Sequence, residues 1–240
     1  MALSHLAEFL RPHRSIPPTP WQATSRWDLS FQRVAILVFG LVIFGLGDSL
    51  LVQSNLGNTP WTVLAQGVSR RSDISLGWST FIISVMVLLI WIPLKEKPGF
   101  GTLANIVIIS ASIQIGISIF PAQRSLLPGI ASALIGIFMV GIGSALYITC
   151  GLGPGPRDGA MTGLHEVTGV RVGRVRLGIE LFVLVIGALL GGHVGLGTAL
   201  FALLIGQAIA ISMGVLARLT RKSQSAPMQF LGEENVAPEI

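Results

Sequence analysis

The chain has 240 residues, of which 51% are hydrophobic and only 11% are charged, and its mean hydropathy is +0.74. Soluble domains carry roughly a quarter charged residues, so this composition excludes an ordinary soluble protein and predicts an integral membrane protein. The net charge of +5 lies in loops and tails, where it bears on membrane orientation and gives no reason to expect nucleic-acid binding. The single cysteine, Cys150, excludes an intrachain disulfide and a cysteine metal cluster.

The predicted elements begin after a polar N-terminal stretch. Residues 1–33 contain four arginines and a proline-rich run without a continuous apolar core, which indicates a mobile cytoplasmic tail and not a secretory signal. Six later segments are apolar enough to span a hydrocarbon core, which needs about 20 helical residues. They cover 34–54, 76–94, 102–120, 128–150, 175–191 and 197–217. The expected domain at 34–217 is followed by a second cytoplasmic tail at 218–240.

The distribution of basic residues predicts the orientation of these spans. With the N-terminus inside, the inner segments hold 13 of the 16 Lys and Arg residues, and the outer segments hold only Arg70, Arg71 and Arg124. The positive-inside rule therefore places both termini in the cytoplasm. The expected location is a bacterial inner membrane, crossed several times.

The membrane domain is repeated at a fixed offset of 96 residues. GLGDSLLVQSNLGNTPWTVL at 45–64 aligns with GIGSALYITCGLGPGPRDGA from Gly141, so that Gly57 falls on Gly153 and Pro60 on Pro156. Repeat one covers about 34–120 and repeat two about 128–217. Each copy has three spans, an odd number, so the second copy enters from the opposite side. The predicted fold is all-α, with two inverted three-helix repeats, a plan that several secondary transporters use.

Each copy also contains a Gly/Pro break followed by a short apolar segment. In the first copy, Gly57 can adopt a left-handed conformation, Asn58 or Thr59 can cap a helix, and Pro60 fits its first turn. The breaks predict short broken or re-entrant helices whose N-termini suit an anion or a polar ligand. The alternative is a pair of interfacial helices that pack against the bundle, with Trp61 at the headgroups.

Ionisable residues break the symmetry of the repeat. Thr80 aligns with Arg176, Ser84 with Glu180, and Trp61-Thr62 with Arg157-Asp158, whereas Asp48 aligns with Ser144. Arg176 and Glu180 are spaced to meet on one helix face. The second copy is therefore predicted to hold a compact cluster of charges, formed by Arg157, Asp158, Arg176 and Glu180.

Carboxylates inside spans are costly unless they are paired or hydrated, so Asp48 and Glu180 are candidates for a proton carrier, a cation ligand or a counter-ion. The alternatives are a structural salt bridge of Glu180 with Arg176 or Arg157, and an Asp48 side chain that reaches the interface.

The remaining polar residues give weaker signals. Asn105, Gln114 and Gln207 could line a pore, although amides more often bridge helices. His165 and His193 have no partners at metal-ligand spacing, so no metal site is predicted. No nucleophile–base pair or phosphate loop is present in the sequence, so neither an enzyme nor a cofactor is expected.

The motifs resemble the YczE/YitT-like bacterial integral membrane proteins. The resemblance covers about 34–217 and depends on GLGPGPRDGAMTGL at 151–164, the Arg176–Glu180 pair, GLGTALFALLIG at 195–206, and the Leu56-Gly57, Pro60-Trp61 and Leu64 positions. Thr62 departs from the acidic residue expected after the Pro-Trp pair, which weakens a symmetric two-carboxylate mechanism. The resemblance implies a multi-pass bacterial membrane protein and no particular activity.

Two functions follow from the sequence. The first is a transporter or exporter of a small polar or anionic solute, with Asn55, Asn58, Thr59, Arg157 and Asp158 as the binding residues and Asp48, Arg176 and Glu180 in coupling or ion pairs. The second is a membrane scaffold or accessory protein in which the charged cluster is structural. The expected partners are the lipid bilayer, a small solute or ion and, in a homo-oligomer, further copies of the chain.

Overall fold

The computed structural model describes residue 12 and residues 16–224, with side chains up to residue 220. The rest of the two predicted tails, at 1–11, 13–15 and 225–240, lies outside the described residues. The described part is all-α, as predicted, and contains eight helices and no strand. The helices are α1 (Phe31–Gln53), α2 (Pro60–Ser72), α3 (Leu76–Leu94), α4 (Phe100–Ile119), α5 (Leu126–Thr149), α6 (Pro156–Thr168), α7 (Val172–Leu189) and α8 (Leu196–Gln224).

Five of these helices are long and apolar enough to cross a membrane: α1, α3, α4, α5 and, over Leu196–Thr220, α8. The predicted sixth span corresponds to α7, which has 18 residues but carries Arg174, Arg176 and Glu180. Because of these three charged residues, α7 is not among the helices that length and composition alone identify as candidate membrane spans.

The helix bounds repeat at the same offset of 96 residues as the sequence. The short helix α2 maps onto α6 at both ends, and α3 and α4 begin at positions that map onto the first residues of α7 and α8. The repeat detected in the residues is therefore also a repeat of secondary structure.

The two breaks have the same backbone conformation. Gly57 and Gly153 have φ values of 110° and 113°, and Asn55 and Gly151, two residues earlier, also have positive φ. Glycine adopts this conformation without the steric cost that a Cβ would bring. Thr59 then caps α2 by accepting a hydrogen bond from the Thr62 amide, and a proline begins each short helix, as the sequence predicted.

Helices α1 and α5 form the centre of the fold and cross through glycines. Gly40 lies against Gly143, and Gly47 lies against Gly136. From the first contact to the second, the residue number increases in α1 and decreases in α5. The two helices therefore run antiparallel. The two contacts also exchange under the 96-residue offset, since Gly40 maps onto Gly136 and Gly47 onto Gly143.

Around this centre, each short helix packs against the third helix of the other half. Helix α2 packs on α7, where Gly67 meets the backbone of Gly187. Helix α6 packs on α3, where Gly159 lies against the buried Trp91 ring, whose Nε1 donates to the Pro156 carbonyl at 2.9 Å. The halves are therefore interlocked and do not form separate bundles.

One interface breaks the symmetry. Helices α3 and α4 pack against each other, but within the described residues α7 and α8 do not form the matching interface. Helix α7 buries only Val175, Val183 and Gly187. The second half is therefore open where the first half is closed.

The described part of the N-terminal segment is packed, although the sequence led us to expect a mobile tail. The Ala23 amide donates to the Cys150 carbonyl at 2.9 Å, and Trp21 Nε1 donates to Thr149 Oγ. Arg26 donates to the Lys97 carbonyl. Residues 16–30 thus lie across the end of α5 and the α3–α4 loop.

We expect Gly143→Ala to lower the melting temperature in detergent, because the added Cβ would lie 2.5 Å from the Gly40 carbonyl oxygen. Overpacking of this kind costs about 1–3 kcal/mol. Gly206→Ala is the matched control, since nothing lies within 4 Å of a Cβ there and alanine favours the helix. Equal melting temperatures for the two variants would contradict the close crossing of α1 and α5.

Candidate functional site

A cavity of about 220 Å³ lies between the N-termini of the two short helices. Its walls come from both halves, and many lining residues form pairs at the 96-residue offset. These pairs are Phe44 and Val140, Thr59 and Gly155, Pro60 and Pro156, Trp61 and Arg157, Asn105 and Phe201, and Ile109 and Ile205. The cavity therefore lies where the two halves meet, and its polar groups are concentrated on the second half.

Arg157 is the central cation of the cavity. Its guanidinium carbon lies 5.0 Å from the centre of the Trp61 ring, so the side chain joins the first turns of α6 and α2. Among the described residues it forms no hydrogen bond or ion pair, although Asp48, Asp158 and Glu180 are near enough for their charges to act on it. A guanidinium group has five N–H donors in a fixed plane, so these donors are available to an occupant of the cavity.

Asp158 lies beside Arg157 in the first turn of α6 and is held by Tyr147. The Tyr147 hydroxyl donates to Asp158 Oδ2 at 2.7 Å, and the tyrosine is 6% exposed, with its ring packed edge-on against Phe44. Asp158 itself is exposed on the cavity side. A carboxylate in the first turn of a helix is also stabilised by the free amides and the helix dipole.

Asp48 is buried behind the first turn of α2 and is 1% exposed. The Thr62 hydroxyl donates to Asp48 Oδ2 at 2.7 Å, and the Thr59 hydroxyl, which lines the cavity, donates to Thr62 Oγ at 2.9 Å. The other carboxylate oxygen, Oδ1, is buried without a hydrogen-bond partner among the described residues. Asp48 is therefore linked to the cavity through two hydroxyl groups.

Each half has one carboxylate at two positions that align in the repeat, one in its first long helix and one in its short helix. The halves use different positions of the two. Asp48 and Thr62 in the first half correspond to Ser144 and Asp158 in the second. Thr62 departs from the acidic residue expected after the Pro-Trp pair, and Asp48, to which it is hydrogen-bonded, is the carboxylate of the first half at this place. Asp48 and Asp158 place one carboxylate near Arg157 from each half.

Arg176 and Glu180 form the predicted ion pair, with 2.9 Å between Arg176 Nε and Glu180 Oε1. Their side chains are 48% and 29% exposed, and both line the cavity. The cavity therefore reaches the surface at this pair, beside the open side of α7 and α8. All four members of the predicted charged cluster line one space.

Two of the predicted binding residues lie elsewhere. Asn55 is part of the first break, and its side chain donates to the Gln123 carbonyl at 2.9 Å. Asn58 is 1% exposed and donates to Gln66 Oε1 at 3.0 Å. Asn55 thus connects the break to the α4–α5 loop and Asn58 connects it to α2, and neither residue lines the cavity.

Sequence reasoning did not single out Tyr147 or Ser144 as site residues, and it considered Trp61 as a headgroup anchor. Tyr147 is the only tyrosine in the chain, and Ser144 is the residue that aligns with Asp48; these were the available signals. Asn105, a weak candidate, does line the cavity. Gln114 instead accepts a hydrogen bond from the Gly77 amide and bridges α4 to α3. The described residues contain no group of three or more potential metal ligands.

Comparison with known proteins identifies relatives along most of the chain. Residues 31–214 match the Family of unknown function (DUF6198). An uncharacterized protein of Haemophilus influenzae is 46% identical over 206 residues, which are 86% of this chain and 94% of the relative. The uncharacterized membrane protein YczE of Bacillus subtilis is 33% identical over 169 residues, 70% of this chain and 75% of YczE. No solved structure matches the chain.

We expect Thr62→Val to destabilise the protein by about 1–3 kcal/mol, because it removes the hydroxyl that donates to a buried carboxylate. Arg176→Ala breaks a partly exposed ion pair within one helix, and such pairs contribute about 0–1 kcal/mol. Thermal unfolding of both variants in the same detergent tests this order. A Thr62→Val protein as stable as Arg176→Ala would show that the Asp48 contact contributes little to the fold.

Proposed function

The chain belongs to the DUF6198 family and, as its motifs predicted, to the YczE-like membrane proteins, and on this premise we propose that it transports a small polar or anionic solute. The membrane location rests on the apolar helices and on the named membrane relative. The observation that carries the transport proposal is the unpaired Arg157 guanidinium in a cavity shared by both halves.

The proposed topology has six spans arranged as two inverted repeats, with α7 as the sixth. The reciprocal glycine contacts of α1 and α5 support this plan, because an inverted pair of helices runs antiparallel about an axis between them. The pairing of Arg176 with Glu180 lowers the cost of placing both charges in a span. The positive-inside count supports cytoplasmic termini and a bacterial inner membrane.

The site favours a small solute that carries a negative charge. Arg157 would be its charge partner, and the first turns of α2 and α6 would add free amide groups and the positive ends of two helix dipoles. Asn105, Ser144 and Thr59 are the neutral polar groups on the same walls. A volume of about 220 Å³ excludes large substrates. The proposal needs no catalytic residue and no cofactor.

The alternative is a scaffold in which the charges lock the two halves together. The observed pairs do not favour it, because Arg176 and Glu180 lie on one helix and Tyr147 and Asp158 lie in one half. No ion pair among the described residues joins the two halves. Charged side chains of these residues connect them only through the contact of Arg157 with Trp61 and the hydrogen bonds from Arg70 and Arg71 to the Gly191 and Leu190 carbonyls.

We expect Arg157→Ala to reduce uptake into proteoliposomes at least tenfold for any solute that the native protein moves out of a panel of acetate, lactate, sulfate and methanesulfonate. Loss of the guanidinium leaves Arg176, which is paired with Glu180, as the remaining arginine among the described residues that line the cavity. Arg124→Ala, in the exposed α4–α5 loop, is the matched control and should transport normally.

Thermal unfolding of the same variants separates the two functions. A folded Arg157→Ala protein with lost flux supports transport. Unfolding of Arg157→Ala, Asp158→Ala and Glu180→Ala alike would support the structural lock. A fully active Arg157→Ala protein would remove Arg157 from the binding role.

The proposed orientation predicts which positions a membrane-impermeant maleimide can reach in intact cells. Asp73→Cys, between α2 and α3, should be labelled, and Lys97→Cys, between α3 and α4, should be labelled only after the membrane is opened. Cys150 provides a silent background, because its thiol is fully buried. The reverse labelling pattern would invert the topology.

A further inference from the structure

Asp48 lies at the end of a continuous chain of hydrogen bonds that starts in the cavity. Thr59 lines the cavity and its hydroxyl donates to Thr62 Oγ, and the Thr62 hydroxyl donates to Asp48 Oδ2. A hydroxyl group both donates and accepts, so two hydroxyls in series can pass a proton along by reversing their bonds. Glu180, by contrast, is paired with Arg176 at the cavity mouth.

The hydrogen bonds of Asp48 are incomplete for an ionised group. A carboxylate has two acceptor oxygens, but only Oδ2 has a donor, while Oδ1 is buried without a partner among the described residues. Buried polar atoms are nearly always paired, so an orphan oxygen marks a group that needs an explanation. A proton on the carboxyl group would remove the cost of burying a charge.

Any positive charge that favours the ionised form of Asp48 must come from outside its own helix. Arg157 of α6 is the cation that acts on it, and within the described residues α1 itself offers none near Asp48. Helix α4 has no titratable residue, α5 has only Tyr147, and the arginines of α2, Arg70 and Arg71, lie in its last turn. Asp158 is the further carboxylate beside Arg157.

A solute anion and Asp48 would therefore compete for one cation. While the cavity is empty, the Arg157 charge stabilises the Asp48 carboxylate. Once a monoanion binds Arg157, its negative charge adds to those of Asp48 and Asp158 around the same cation, and the repulsion among them favours protonation of one carboxylate. Uptake of one proton by Asp48 restores the original net charge.

We propose that Asp48 is a proton-binding site that is filled from the cavity through Thr59 and Thr62, so that one proton accompanies each monoanion. The inference rests on the proposed function and names the coupling ion. The balance is simple: the anion binds without reacting, one proton from water adds to the Asp48 carboxylate, and no other bond changes.

The first test measures the Kd of the purified protein for methanesulfonate, which stays ionised, between pH 5 and 9. In the native protein the Kd should be constant at low pH, where Asp48 is already protonated. It should then rise up to about tenfold per pH unit, as linkage to one proton requires. In the same experiment, Asp48→Asn should give a Kd that does not change with pH and lies near the native low-pH value.

Asp73→Asn is the matched control. It removes a carboxylate from an exposed residue with φ of 53°, a conformation that asparagine accepts readily, and it should keep the native pH dependence. A second measurement needs no variant: calorimetric titration of the native protein in buffers of different ionisation enthalpy should give close to one proton taken up per anion at the pH where the Kd rises.

The outcomes separate the two proposals. A native Kd that is independent of pH, with no proton uptake, overturns the Asp48 site and leaves transport of the anion standing. A normal pH dependence in Asp48→Asn likewise overturns it and moves the proton to another group. If the native protein neither binds nor moves any of acetate, lactate, sulfate and methanesulfonate, both the transport proposal and the proton site fall.

Discussion

The structure depends on the close antiparallel crossing of α1 and α5. Gly40 with Gly143, and Gly47 with Gly136, bring the two backbones so close that a Cβ would meet a carbonyl oxygen. In a membrane the apolar surfaces of helices are as well solvated by lipid as by each other, so close van der Waals contact between small residues stabilises the pair. The two glycine contacts exchange under the 96-residue offset, so the crossing relates the two halves to each other. It therefore also determines where their other helices meet.

The cavity is a consequence of that crossing. Each half contributes a break and a short helix, and α2 and α6 begin on opposite walls of the same space. Identical halves would place identical residues there. Instead, Trp61 faces Arg157, and the carboxylate at the aligned positions lies on α1 in one copy, at Asp48, and on α6 in the other, at Asp158. A symmetric pair of halves would not place one arginine among three carboxylates, Asp48, Asp158 and Glu180.

The sequence predicted the elements well because their signals are local. Apolar length gave the long helices within a few residues, and Gly57, Thr59 and Pro60 play the backbone roles that their chemistry suggested. Contacts across the fold were not predictable in this way. Nothing local shows that Asn58 pairs with Gln66, or that Tyr147 holds Asp158. The carboxylate is on α1 in the first half, at Asp48, and on α6 in the second half, at Asp158. This exchange becomes apparent only when the aligned positions are compared with the packing of the helices.

The open side of the cavity then follows from the asymmetry between the halves. Helices α3 and α4 pack together, whereas the described parts of α7 and α8 stay apart, and the cavity reaches the surface at Arg176 and Glu180. Under the proposed inverted plan, these two interfaces face opposite sides of the membrane and are built from equivalent segments. A transporter with this plan exposes its site to one side at a time by exchanging the packing of equivalent interfaces. Under the transport proposal, the open α7–α8 side gives a solute a path to Arg157 past the Arg176–Glu180 pair.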